Sequence, residues 1–331
     1  MDYLGGSFLD KLAIIIPCYN EGQTIRKVVT DCKNSTKEIP NTQIYVYDNN
    51  SSDNTVTEAQ IAGAIVRHEY QQGKGNVIRR MFREVDAECY IMIDGDDTYP
   101  TSEIPKMTAK ILERHVDMVV GDRLSSSYFE ENKRPFHNFG NVLVRRSINF
   151  FFKNDIKDIM TGYRAFSYQF VKSYPVLSKG FEIETEMSIL AIENNMLIDN
   201  QVIDYRDRPD GSESKLNTYS DGFKVLRRIF NLFRNYRPLH FYGLISIFLI
   251  ILAAFLFFPN VWIPYLHTGL VAKMPTLVVC GFLLLTGIIS YSSGLILDSI
   301  VQKEQREFEF RLELIQQQFT TKLQEQQHEK N

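Results

Sequence analysis

The apolar residues of this chain follow two different rules on either side of about residue 220. Before it, short apolar runs alternate with segments of helical spacing. Lys11 to Pro17 is a β-branched strand ended by proline, and Glu21 to about Asn34 reads as a helix. Gln43 to Tyr47 is the next strand, helix-like sequence starts at Thr55, and a third strand lies near Ala64 to Arg67. Gly73-Lys74-Gly75 then opens another helix, and Cys89 to Ile93 is a fourth strand. Strand, helix and strand in alternation predict right-handed βαβ units and an α/β domain on a mostly parallel sheet.

After it the pattern changes. Leu239 to Phe258 is twenty residues of almost unbroken apolar sequence, enough at ~1.5 Å each to cross a hydrocarbon core of ~30 Å. A second such run covers 275–297, and Pro259, Asn260, Pro264 and Gly269 are expected to break the helix between them. The alternative, two buried helices of a soluble core, fits these lengths poorly. Arg227, Arg228, Arg234 and Arg237 precede the first run, and Lys303, Arg306 and Arg311 follow the second, while the loop holds only Lys273. By the positive-inside rule both flanks and both termini face the cytoplasm, as a multi-pass protein of the cell membrane. Phe308, Leu312, Ile315, Phe319 and Leu323 recur at helical spacing beyond the second run. They predict an amphipathic helix lying on a partner helix, the membrane or the preceding domain. Few heptads are available, so homo-oligomerisation through the hairpin and this helix is permitted rather than required. The expected division is 1–220 catalytic, 221–238 basic and juxtamembrane, 239–258 first span, 259–274 external loop, 275–297 second span and 298–331 cytoplasmic helix.

Composition adds little but excludes something. A chain of 331 residues exceeds one average domain. Its net charge of −3 gives no reason to expect a nucleic-acid partner. The four cysteines (Cys18, Cys32, Cys89, Cys280) have no metal-type spacing, and Cys18 and Cys89 fall in strand-like runs that would keep them buried and reduced. Met1 to Asp10 lacks the basic start and long apolar core of a signal peptide.

The chemistry gathers at strand ends. Tyr90 to Ile93 runs straight into Asp94, Asp96 and Asp97, with Gly95 allowing a tight turn. Carboxylates so close repel one another and resist desolvation, a cost that a divalent cation would offset. The bland alternative is an acidic turn closed by Asx hydrogen bonds. Pro17 to Glu21 and Asp48 to Asp53 fall at the same carboxyl edge of the sheet, where open α/β sheets bind ligands. Three polar clusters on one rim describe a site.

The set IPCYNEG, YDNNSSDNT, GKG, DGDD, MTGYRAF and RPDGSESKL resembles family 2 glycosyltransferases of the GT-A fold. The subgroup it is most similar to is the polyprenyl-phosphate glycosyltransferases, such as dolichol-phosphate mannose synthase and the bactoprenol glucosyltransferases. The motifs cover residues 11–230, and two following spans match membrane-anchored bacterial members. Asn50 departs from the pattern, where the family often has glycine; asparagine tolerates left-handed backbone, so the turn is expected to survive.

That resemblance implies a Rossmann-like GT-A domain and assigns roles. Pro17, Tyr19, Glu21 and Asp48 would hold the nucleotide base and ribose, with Gly73, Lys74 and Gly95 also at the nucleotide sugar. Asp94 and Asp96 would bind Mg²⁺ or Mn²⁺ on the donor pyrophosphate, with Asp97 further out. Arg123, Arg146 (or Arg145), Arg206, Arg208, Ser214 and Lys215 would bind the acceptor's phosphate, for which arginine's planar fork is suited. The implied reaction is a single inverting displacement on a nucleotide sugar by undecaprenyl phosphate, beside the lipid bilayer. UDP-glucose or UDP-N-acetylglucosamine is the expected donor and GDP-mannose the alternative. A phosphomonoester is largely ionised at neutral pH, its second pKa being near ~6, so a strong base is unnecessary. Asp158 is the candidate base, or else orients the acceptor. A processive synthase is disfavoured, since QxxRW is absent and the one tryptophan, Trp262, lies in the loop. A transferase using a saccharide acceptor and a nucleotide-binding scaffold without turnover remain as rivals.

Overall fold

The computed structural model describes residues 9–126, 156–180, 183–204, 230–231 and 233–330. The chain divides into two compact units: 1–221 together with 308–331, and 222–307.

The first unit is a seven-stranded sheet in the order β3-β2-β1-β4-β6-β5-β7. Its strands are β1 (Asp10–Cys18), β2 (Thr42–Asp48), β3 (Ile65–His68), β4 (Ala87–Met92), β5 (Met118–Asp122), β6 (Arg164–Ser167) and β7 (Ile198–Val202). All neighbours pair in parallel except β6, which runs antiparallel between β4 and β5. The helices are α1 (Ile25–Ser35), α2 (Thr55–Ile61), α3 (Lys74–Glu84), α4 (Ile104–Arg114), α5 (Tyr168–Ser173) and α6 (Ile183–Glu193). This is the mostly parallel α/β sheet expected from the alternation of periods, in the Rossmann-like GT-A arrangement that the resemblance implies.

Burial explains the sequence pattern. Strand β1 is central, so Leu12 to Ile16 are enclosed on both faces and the run is continuous rather than alternating. Helix α1 turns Ile25, Val28, Val29 and Cys32 onto one face, where they join Ile14, Ile16, Ile91 and Met107 of α4 in one core. Elsewhere in the core, Phe166 of β6 stacks on Phe170 of α5 and meets Phe82 of α3 edge-on, with centroids 4.8 and 5.7 Å apart.

The second unit holds two long apolar helices, as the hydropathy indicates. α7 (Pro238–Phe257) continues through a π turn (Phe258–Trp262) into α8 (Ile263–Thr268). The expected break at Pro259 and Pro264 therefore does not occur. The prolines stand at the starts of the π turn and of α8, inside a continuous helix, and the chain stops only at Gly269, with φ +67°. α9 (Met274–Lys330) is one helix of 57 residues, without a boundary at 297/298. α7 and α9 pack antiparallel through small residues. A Cβ on Gly287 would lie 3.4 Å from the Ser246 carbonyl, one on Gly294 3.0 Å from Tyr242, and Ser290 Oγ donates to the Tyr242 carbonyl. The most apolar stretch of each helix is only 11% buried.

The last part of α9 belongs to the first unit. Phe319 stacks on Tyr168 at 4.9 Å, Lys322 pairs with Asp86, and Gln326 donates to the Leu9 carbonyl at 2.8 Å. Of the three surfaces open to the amphipathic helix, its C-terminal turns lie on the α/β domain.

Candidate active site

The carboxyl edge of β1, β2 and β4 forms one stitched rim. Asn20 follows β1 in left-handed backbone (φ +55°), accepts from Ser52 N–H at 2.8 Å, and its own N–H donates to Ser51 Oγ at 2.8 Å. Glu21 N–H donates to Thr55 Oγ1 and Gly22 N–H to Asp53. The loop carrying Tyr19 and Glu21, which follows Pro17 at the end of β1, is thereby fixed to the loop after β2. Asn50 adopts φ +66°, so asparagine does fill the left-handed position expected of glycine.

Asp48 is almost wholly buried at the end of β2. Both its oxygens accept from Ser51 N–H at 3.3 Å, and His68 Nδ1 lies 3.3 Å away. Its local role is thus an Asx-type turn that aims the carboxylate along the rim. Asn49, which sequence reasoning did not single out, binds the third loop: its Nδ2 donates to the Glu69 and Gln71 carbonyls, and its Oδ1 accepts from Gly73 N–H at 2.7 Å. The run of Asx residues after β2 was visible, but nothing local marks which one reaches twenty residues ahead.

The glycines flanking Lys74 answer to the chain itself. Gly73 has φ +129°, and a Cβ on Gly75 would collide with the Ser178 carbonyl. The strip 178–179 crosses directly over them, and Gly75 N–H donates to the Lys179 carbonyl. Lys74 is driven inward, its ammonium 2.7 Å from Asp94 Oδ1 and 2.8 Å from Glu184 Oε1. Burial works against this charge, but the Asp94 and Glu184 carboxylates outweigh it and hold its pKa above the ordinary lysine value.

Past β4, a Cβ on Gly95 would lie 2.8 Å from Cys18 Sγ, so its bareness lets two strand ends touch. Burial, then the negative field of Glu21, Asp48, Asp94 and Asp96, pushes the Cys18 thiol well up, and it is an inert packing group. Asp96 Oδ1 accepts from Thr98 N–H at 3.2 Å and Thr98 hydroxyl at 2.6 Å. Asp97, at φ +60°, is turned to pair with Lys27.

The turn 156–163 faces the same edge, because antiparallel β6 begins there. A Cβ on Gly162 would collide with Asp94 Oδ2, so this glycine leaves a cradle beside the carboxylate. Asp158 is fully buried and takes a two-pronged ion pair from Arg123, at 2.7 and 3.1 Å. The residues expected to serve as base and as phosphate ligand therefore hold each other. Beneath them lies Arg164, also fully enclosed, donating to the Ile159 and Thr161 carbonyls and to Ser188 Oγ. Burial lowers its pKa to about 10 against the opposing pull of Glu184 and Asp158, so it stays charged near neutrality. Its place in MTGYRAF was legible; its role in tying down the 156–163 turn was not.

Arg145, Arg146, Arg206, Arg208, Ser214 and Lys215 lie outside the described residues. Among those described, no three His, Cys, Asp or Glu side chains form a ready metal cage. Asp94 and Asp96 offer hard oxygen donors on a turn that Thr98 and Gly162 shape, and Asp94 already carries an ammonium on one oxygen. Such a pair fits Mg²⁺ or Mn²⁺ in the usual way, with remaining ligands from water and substrate phosphates.

Comparison with known proteins now decides the family. Residues 13–174 match the profile "Glycosyl transferase family 2". Glycosyltransferase AglJ of Haloferax volcanii is 31% identical over 235 residues, 71% of this chain and 76% of that one. The chain belongs to glycosyltransferase family 2. Protein RfbJ of Shigella flexneri is 52% identical over 112 residues, 34% of this chain and 84% of that one. The dolichol-phosphate mannosyltransferase of Pyrococcus furiosus is 28% identical over 188 residues, 54% and 52% of the two chains. Among solved structures, Mycobacterium tuberculosis glucosyl-3-phosphoglycerate synthase with Mn²⁺, UDP and glucosyl-3-phosphoglycerate superposes with a TM-score of 0.50 at 17% identity, over 68% of this chain and 79% of that one. That likeness is one of fold.

Proposed function

We propose that this family 2 transferase moves a hexose from a nucleotide sugar to a polyprenyl phosphate, with inversion at the anomeric carbon. The observation that carries the reading is that two ion pairs share one edge of the sheet: Lys74 with Asp94, and Arg123 with Asp158. The turn that holds Asp158 runs on to Gly162, which packs directly against the Asp94 carboxylate. A donor diphosphate needs cationic help for its leaving group, and an acceptor phosphate needs a fork of N–H donors.

In this reading Pro17, Tyr19, Glu21 and Asp48 bind the base and ribose, and Gly73, Lys74 and Gly95 lie along the nucleotide sugar. Mg²⁺ or Mn²⁺, held by Asp94 and Asp96, would neutralise charge on the departing nucleoside diphosphate. An oxygen of the acceptor phosphate attacks the anomeric carbon as the bond to the diphosphate breaks. Asp158, spent on Arg123, acts by fixing that guanidinium rather than by taking a proton, and the ionised phosphate has none to lose. Arg146, Arg206, Arg208, Ser214 and Lys215 complete the acceptor site. Holding both substrates on one rim supplies orientation.

The lipid acceptor is supported by the two long apolar helices and by relatives named for dolichyl phosphate. A uridine donor is supported by the UDP-bound structural neighbour. UDP-glucose or UDP-N-acetylglucosamine with undecaprenyl phosphate is the pair we infer, with GDP-mannose as the second donor. The enzyme would sit in the cell membrane with its catalytic unit in the cytoplasm. A panel of nucleotide sugars with undecaprenyl phosphate in detergent tests this by scoring lipid-linked sugar. Transfer to a soluble saccharide, with none to lipid, would overturn it.

A further inference from the structure

Glu184 is a buried acid that the reaction scheme above does not use. It lies in the first turn of α6, and its Oε1 is 2.8 Å from the Lys74 ammonium. This distance is built, not incidental. Glu186, two residues on, accepts from the N–H groups of Leu177 and Ser178, each at 3.0 Å. The adjoining residue Lys179 accepts from Gly75 N–H at 3.1 Å, beside Lys74. The starts of α3 and α6 are thus joined through one strip of backbone, which sets Glu184 against Lys74. Behind it, Ser188 links the Glu184 carbonyl to buried Arg164.

Asp94 and Glu184, both partners of the ammonium, have unequal futures. Asp94 is the one that a divalent cation would take, and an ammonium on Asp94 Oδ1 competes for the same lone pairs. Glu184 has no such second claim. A buried ammonium left without a counter-charge would resist the exchange. We propose that Glu184 is a positioning residue for Lys74: it keeps a carboxylate on the ammonium while Asp94 engages the cation, so that Lys74 can turn toward the donor diphosphate. This rests on the reading of Asp94 and Asp96 as cation ligands.

The test is Mn²⁺ binding to the full chain in detergent, followed by the electron paramagnetic resonance of free Mn²⁺, with and without UDP. In Glu184→Gln, Lys74 loses this counter-charge and leans more heavily on Asp94, and the apparent Kd for Mn²⁺ rises roughly tenfold, as for groups that support metal ligands. In a Lys74→Met background there is no ammonium to hold, so adding Glu184→Gln leaves Mn²⁺ affinity unchanged. Wild-type affinity in Glu184→Gln, or an equal loss with and without Lys74, overturns the inference. Should Glu184→Gln not fold, Glu184→Asp, one methylene short of the ammonium, carries the same two expectations. Absence of Mn²⁺ binding by the wild type would remove the cation site itself; wild-type binding without the Glu184 effect would remove this inference alone.

Discussion

The interior of the α/β unit and the surface of the helical hairpin are made of the same side chains in opposite circumstances. Ile14, Ile15 and Ile91 are wholly enclosed, whereas Ile251, Ile288 and Ile289 are 63%, 53% and 56% exposed. In β1 and β4 the apolar run lasts only as long as the strand and ends at Cys18-Tyr19-Asn20 or at Asp94. Neighbouring strands satisfy the backbone, and helices cover both faces. In α7 and the first half of α9 the run persists for twenty residues with no polar face, and the helix satisfies its backbone alone. Hydrophobic content is therefore a poor guide to burial. The length of the run and what ends it separate a strand that needs protein around it from a helix suited to lipid.

The difference can be broken at several points. The largest effect is all-or-none: in a background without native cysteines, Asn260→Cys on intact cells should react with an impermeant thiol reagent, and Glu313→Cys only after permeabilisation. The reverse would overturn both the orientation and the cytoplasmic donor. Next, Asp96→Asn should lower transfer by roughly 10²–10³-fold, as for loss of a group that stabilises transition-state charge, with an unchanged melting temperature. Full activity in this variant with a chelator present would defeat the cation assignment. Third, Ile14→Ala should cost about 2–5 kcal/mol in denaturant unfolding, while Leu285→Ala in detergent should cost less than about 0.5 kcal/mol. Equal costs would mean that the hairpin has a protein core of its own.

The smallest effect concerns Asp86, where the C-terminal turns of α9 rest. Burial raises its carboxyl, but Lys172 and Lys322 outweigh that and hold its pKa below the ordinary value. A depressed folded pKa contributes stability above the unfolded value, and that contribution is lost as pH falls through the folded one. Lys322→Met should thus lower stability by about 0.5–1 kcal/mol at pH 7, with the gap to wild type closing below about pH 3. A gap that persists at pH 2 would assign the effect to packing of Phe319 on Tyr168 instead.

Much of the fold was legible because its first half is local. Strands β1 to β4 each announce themselves by a β-branched run and a polar stop, and the left-handed turn at Asn50 followed from the side chain's own preference. β6 was not legible as a strand: Arg164–Ser167 is four residues long, and its antiparallel placement depends on partners more than forty residues away. The site divides in the same way. Asp94 and Asp96 stand together in sequence and were readable. Glu184 gave no signal, since Ile183–Glu193 is buried on several sides and has no clear amphipathic face. The pairing of Arg123 with Asp158 spans 35 residues, so each was found and their mutual engagement was not.

The antiparallel course of β6 bears on how such an enzyme diversifies. β5 leaves the sheet at Asp122 and β6 re-enters it at Arg164, on the same edge and in adjacent register, with Val120 opposite Arg164. The chain between them departs and returns through one doorway. Insertion there leaves the described strand pairings intact. If the acceptor site is as proposed, selection can rewrite the stretch between Arg123 and Asp158 for a new acceptor while those two residues stay where the sheet puts them. The rim proposed to hold the donor has no such freedom: its loops are bolted to one another through Asn20, Asn49 and Lys74. A lineage of these enzymes should therefore change what receives the sugar sooner than what delivers it.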